Sequence, residues 1–189
     1  SMVPMPNPII SDADLLEAWG HGDQVACQRL HDRHTEFLSR FFGNKLGRGC
    51  AELVHRTRAA SINSTGRLQT PAEFRAHLSR RAYTVFKHYL RRTHRIEEQQ
   101  LGSRSMQDIV PAPSNMLEEN ARQRRLLLAL RTLPVELQVA VELHQWEGMN
   151  SAEIAVVLDV PHTIAQSRLQ RGQAMLAARI GESVEAEPG

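Results

Sequence analysis

Cys27 and His31 stand four residues apart, and His34 follows three further on, so one helix face could present a thiolate and two imidazoles to a metal, with Cys50 as a distant fourth. The rival reading is plainer. Both cysteines suit small buried positions. That reading is preferred, and no metal or cofactor is expected. The nine histidines invite a general-base role. However, no Ser/His/Asp or Cys/His order with matching loops is present. No glycine-rich phosphate loop follows a strand, because no strand pattern is present. Glu17, Glu52 and Glu153 read as helix-surface or capping carboxylates, not as an acid/base pair. An enzyme is therefore not expected.

The arginines are more informative. Only two of the 23 basic residues are lysines, Lys45 and Lys87. The rest carry the planar guanidinium suited to phosphate and guanine. The net charge is only +2, but residues 66–95 hold eight basic residues (Arg67, Arg75, Arg80, Arg81, Lys87, Arg91, Arg92 and Arg95) against Glu73 alone, a formal +7. The C-terminal GESVEAEPG carries three glutamates and no base. A second candidate surface is expected from NSAEIAVVLDVPHTIAQSRLQRG, residues 150–172, which reads as a short helix, a corner and a longer helix. There Thr163, Gln166, Ser167, Gln170 and Arg171 point away from the apolar set Ile164, Leu169, Leu176 and Ile180, with Arg168 at the boundary. An acid-free Arg/Gln/Ser face near a helix N-terminus meets what base edges and phosphates require.

The elements that must position these residues are helices. Ser11 and Asp14 form a cap pair. Asp23 can cap one long helix through Leu46, with Ala26, Leu30, Phe37, Leu38 and Phe41 on one face. CAELVHRTRAASI is a weaker helix, and NSTGRLQT a loop. Thr70, Pro71 and Glu73 give the clearest start signal, for a helix with Phe74, Leu78, Ala82, Val85, Phe86 and Tyr89 in one stripe. Residues 96–114 lack periodicity and contain Pro-Ala-Pro, which predicts a flexible linker between domains. A helix opening at Asn115 and Glu118 runs through Leu130, and another starts at Leu133-Pro134. Asn150 and Glu153 form a capping box, and Asp159 occupies a corner that needs positive φ. The expected architecture is all-α: a helical domain over 9–95, a linker over 96–114, a helix-turn-helix domain over 115–182 and an acidic tail over 183–189. No apolar run approaches the roughly 20 residues of a bilayer span, so a reducing, cytoplasmic setting is expected.

LRTLPVELQVAVELHQWEGMNSAEIAVVLDVPHTIAQSRLQRGQAML resembles region 4 of the sigma-70 family in its extracytoplasmic-function (ECF) group. The shared skeleton is Leu-Pro, an apolar helix, a Glu-Gly turn, Glu-Ile-Ala, Leu-x-Val-Pro and Ser-Arg-Leu. DADLLEAWGHGDQVACQRLHDRH, AELVHRT and TPAEFRAHLSRRAYTVFKHYLRR resemble region 2 of the same group. The resemblance runs from about Ser11 to Ile180.

It implies an alternative sigma factor, monomeric when free, that binds core RNA polymerase through the β′ clamp coiled coil and the β flap and directs it to promoter DNA. It also implies an anti-sigma partner. By position, His162, Thr163, Gln166, Ser167, Arg168 and Arg171 would contact the −35 element. Asn63, Ser64, Thr65, Arg67, Gln69, Arg75, Arg80, Arg81, Lys87 and Arg91 would contact the melted −10 element, and Glu52, Leu53, His55 and Arg56 would contact the polymerase. Single-strand capture needs a basic groove and stacking surfaces. Phe74, Tyr83, Phe86 and Tyr89 are the available rings, although their helical spacing places most of them in the core.

Three departures from the family pattern stand out. Thr163-Ile164-Ala165-Gln166 replaces the usual Gly-Thr-Val-Lys. Glu52 replaces an aspartate in a helix made basic by His55, Arg56 and Arg58. Ile62 stands where an aromatic is common. Two other readings of the chain remain: a sigma-like decoy or adaptor with altered polymerase binding, and a free-standing helix-turn-helix regulator. A regulator of that kind would bind palindromic half-sites as a dimer.

Overall fold

The computed structural model describes residues 9–63 and 68–185, and the described residues form helices, turns and loops without a strand. Polar caps at the expected places start four of the helices. Ser11 and Asp14 cap α1 (Asp12–Gly20) reciprocally, with Asp14 N–H donating to Ser11 Oγ at 3.1 Å and Ser11 N–H to the Asp14 carboxylate at 3.2 Å. Asp23 accepts from the N–H groups of Val25 and Ala26 at the start of α2 (Gln24–Arg33).

The single long helix expected from Asp23 to Leu46 is two helices. The chain breaks at His34 (φ −103°, ψ 6°), where an i→i+3 bond from His34 N–H to the His31 carbonyl tightens the last turn of α2, and α3 (Thr35–Leu46) begins. The apolar spacing survives the break, since Leu30, Leu38, Phe41 and Phe42 all lie within the core. Periodicity alone therefore could not reveal it. The His34 ring has its own partners, the Asp12 carboxylate at 3.0 Å and the Phe74 ring at 5.1 Å between centroids.

α4 (Ala51–Asn63) leads into α5 (Pro71–His94), which Thr70 caps by accepting from Glu73 N–H at 3.1 Å. Phe74, Leu78, Ala82, Phe86 and Leu90 are fully buried along one stripe of α5. Arg95 closes the helix in the left-handed region, at φ 56°.

The segment after Arg95 differs from the flexible linker that its composition suggests. Ile96, Leu101 and Met106 are buried around a 3-10 turn at Glu98–Gln100 and the short α6 (Met106–Ile109). α7 (Ser114–Leu117) follows, with Met116 buried just before its end. The residue that ties this strap down lies elsewhere in sequence. Arg131, 1% exposed, donates to the carbonyls of Lys45, Met106 and Val110. Gly47 lets the strap pass close to the end of α3. It sits at φ 84°, and a Cβ there would lie 2.5 Å from Pro113 Cβ.

Asn115 does not open one helix through Leu130. The chain restarts at Asn120, which caps α8 (Ala121–Leu130) by accepting from Gln123 N–H. α9 (Val135–Gln145), α10 (Ser151–Leu158) and α11 (His162–Glu185) complete the fold. Gly172 allows α11 to approach α9, because a Cβ there would meet Val141 Cγ2 at 2.6 Å and the Leu137 carbonyl at 3.1 Å.

α10 packs along α5. One apolar cluster accordingly runs from Leu15 and Phe74 in the first half of the chain to Val139, Ile154 and Leu169 in the second. A smaller cluster of Leu130, Leu133, Leu137 and Val141 is covered by Trp146, Met175 and Leu176. Among the described residues no helix is long and apolar enough to cross a membrane.

Candidate nucleic-acid interface

The corner between α10 and α11 has the geometry its residues require. Asn150 and Glu153 cap α10 reciprocally at 2.9 Å each way. Asp159 adopts the left-handed conformation at φ 55°, and Pro161 leads into α11. Ile154, Ala155, Val157 and Leu158 anchor α10 in the core. On α11, Ala165 and Leu169 are buried, while Ile164 is 43% exposed, contrary to the inward placement expected of it. Ala165 holds the inward slot instead, fully buried.

His162, Thr163, Gln166, Ser167, Gln170 and Arg171 form the exposed face of the first turns of α11. His162 Nε2 lies 2.6 Å from Ser151 Oγ. Arg168 stands apart from this face. Its guanidinium meets the Glu136 carboxylate at 3.2 Å, and its side chain is only 21% exposed.

The basic residues expected in the N-terminal half are placed differently. Ser64, Thr65 and Arg67 lie outside the described residues, and Asn63 and Gln69 are exposed on either side of that gap. Arg75 donates to the Glu147 carbonyl at 3.3 Å and faces Glu153 at 3.8 Å. Arg80 pairs with Asp159 at 3.5 Å, and Lys87 pairs with Glu98 at 2.7 Å. Arg81 is half-buried, with its Nε making no hydrogen bond, and Arg91 is exposed. The candidate stacking rings are structural. Phe74, Phe86 and Tyr83 are buried, Lys87 Nζ lies 4.8 Å from the Tyr83 ring centre, and burial drives the Tyr83 hydroxyl well above the usual phenol value. Tyr89 is half-buried, edge-on to His94.

On α4, Glu52, His55 and Arg56 are exposed, with Glu52 and Arg56 joined at 2.6 Å. Leu53 points the other way, into the core at 7% exposure, so it holds α4 in place and does not present a contact.

The Cys/His set is not gathered into one site. The Cys27 carbonyl can only accept, so His31 Nδ1, 2.8 Å away, carries the proton, and Nε2 accepts from Ser61 Oγ at 2.9 Å. Burial, then the charges of Arg58, His34 and His77, favours this neutral imidazole against the hydrogen bond to Cys27. His34 turns to Asp12, and Cys50 donates to the Gly47 carbonyl. Among the described residues no three His, Cys, Asp or Glu side chains are placed to hold a metal ion.

Sequence reasoning missed a set of acids. Glu142 and Lys45 form a buried ion pair, with Lys45 Nζ also donating to the Phe41 carbonyl at 2.6 Å and lying 3.7 Å from the Phe41 ring centre. Gln138 donates to Glu142 at 2.9 Å. Arg40 meets Glu147 at 2.5 Å. A signal was present: Glu142 interrupts the otherwise apolar stretch VAVELH, and Lys45 is one of only two lysines.

The fold and its corner define an all-helical protein with a helix-turn-helix. Residues 123–176 match the family Sigma-70, region 4. The solved structure of CnrH in complex with the cytosolic domain of CnrY shares the fold, with a TM-score of 0.64 over 90% of this chain and 97% of that one, at 21% identity. No curated protein sequence matches. Residues 123–176 are thus similar to a sigma-70 region 4 domain, and the chain as a whole shares the fold of CnrH.

Proposed function

We propose that the protein is an alternative sigma factor that binds core RNA polymerase and selects promoters. The observation that carries this reading is the exposed, acid-free face of α11 set behind a left-handed corner residue. His162, Thr163, Gln166, Ser167 and Arg171 read the upstream duplex, with Arg168 joining if it leaves Glu136. Arg75, Arg80, Arg81, Lys87 and Arg91 on α5, with Asn63 and Gln69, hold the melted strand. The exposed Glu52, His55 and Arg56 of α4 face the polymerase clamp. Tethering both DNA contacts to one enzyme raises effective concentration, so neither needs to be tight alone. Since CnrH is solved with the cytosolic domain of CnrY, an anti-sigma partner fits the same reading.

The test is co-elution of the purified chain with core RNA polymerase, with Glu52→Arg as control. Co-elution lost in the variant, followed by promoter-dependent transcripts with two unlike elements, supports the proposal. Absence of association points to a decoy or adaptor, and binding of palindromic sites without polymerase points to a free-standing regulator.

A further inference from the structure

Four ion pairs among the described residues join α3 or α5 to the unit of α9, α10 and the corner after it. They are Lys45–Glu142, Arg40–Glu147 at 2.5 Å, Arg75–Glu153 at 3.8 Å and Arg80–Asp159 at 3.5 Å. Each has its cation on the N-terminal side and its carboxylate on the C-terminal side. A surface that presents carboxylates in register with a row of arginines offers those arginines what a phosphate backbone would offer. α10 itself covers the same stretch of α5.

On the proposed assignment of α5 to the melted strand, we infer that the C-terminal unit is an intramolecular competitor for that strand. It occupies Arg75 and Arg80 in the free protein and must swing away before single-stranded DNA can bind. The polar faces of α11 and α4 stay exposed in this closed form. Duplex and polymerase contacts can therefore precede release of α5.

The contacts make the closure reversible. Lys45 and Glu142 are withdrawn from water, and burial pushes the lysine pKa down and the glutamate pKa up. Opening returns hydration to both charges, which offsets much of their lost attraction. The Arg80–Asp159 pair is exposed, with the Asp159 side chain 78% accessible, and the Arg40–Glu147 and Arg75–Glu153 pairs are half-buried, so salt and a competing polyanion weaken the Arg80 pair most.

The test uses the full chain, small-angle scattering, and anisotropy of a fluorescent single-stranded oligonucleotide of mixed sequence. Glu142→Gln with Glu147→Gln should open the molecule, raising the radius of gyration and tightening single-strand binding about tenfold, since a lysine left buried without its partner disfavours the closed form. Lys45→Met with Gln138→Leu and Glu142→Leu replaces the buried polar set by apolar groups, so it should lock the closed form and weaken single-strand binding by a similar factor. The locked variant guards against the opened one simply unfolding. Equal single-strand affinity in wild type and locked variant, including no detectable binding in either, overturns the inference. Polymerase co-elution and duplex binding in the same samples report separately on the sigma-factor reading.

Discussion

α5 and α11 are the two long helices of the molecule, each of 24 residues, and both carry basic residues expected to meet DNA. They solve that task in opposite ways. α5 is a core helix first. Its apolar stripe is fully buried, and two of its arginines, Arg75 and Arg80, are engaged by acids of its own chain. The first turns of α11 are a surface first. Ala165 and Leu169 anchor the helix while six polar residues and Ile164 face water. A duplex presents its grooves ready-made and can be met by a preformed face. On the proposed assignment a melted strand exists only late, so the α5 surface that would hold it can stay covered until then.

The largest expected effect breaks the covered side. Lys45→Ala leaves Glu142 buried without its cation and should cost about 3–5 kcal/mol in chemical denaturation, whereas the apolar triple replacement should be neutral or stabilising. If both variants lose stability alike, packing and not charge governs that junction. Next in size is Gly172→Ala, whose Cβ would collide with Val141 and the Leu137 carbonyl. Forcing α11 off α9 should cost about 1–3 kcal/mol in thermal unfolding.

Arg171→Ala should weaken duplex binding by about 1–3 kcal/mol and relax base preference, and Arg168→Ala should do less, because Arg168 already rests on Glu136. Equal losses would show that Arg168 exchanges Glu136 for DNA.

The smallest effect is a pH response confined to the N-terminal half. His31 is held neutral, with its folded pKa below the ordinary imidazole value of about 6.5. The unfolded chain therefore binds the extra proton first as pH falls. The stability His31 contributes is complete above about pH 6.5 and declines as pH drops towards its folded pKa. His77 is shifted in the same direction by burial. Thermal melts from pH 7.5 to 5 should show a steeper decline for wild type than for His31→Gln.

Much of the fold was legible because caps and apolar stripes are local. Thr70-Pro71 with Glu73, Asn150 with Glu153, and Asp159 each specify one turn of backbone, and each is found where the sequence places it. The break at His34 was not legible, because the apolar face continues across it in register. The fixed path of residues 96–114 was not legible either, since its anchor, Arg131, lies at least 17 residues away in sequence and is buried only once the halves meet. For the candidate interface, residue types predicted the α11 face well but not the inward slot of Ala165. The partners of Arg75 and Arg80 depend on how α10 lies on α5, which no local pattern encodes.

Asp159 carries one further consequence. Glycine is the residue best suited to its left-handed backbone, yet the carboxylate found there also reaches Arg80. Two physical demands thus converge on a single residue. A lineage that drifts to glycine gains an easier corner and gives up part of its hold on α5. A lineage that keeps the acid accepts a strained corner in exchange for restraint.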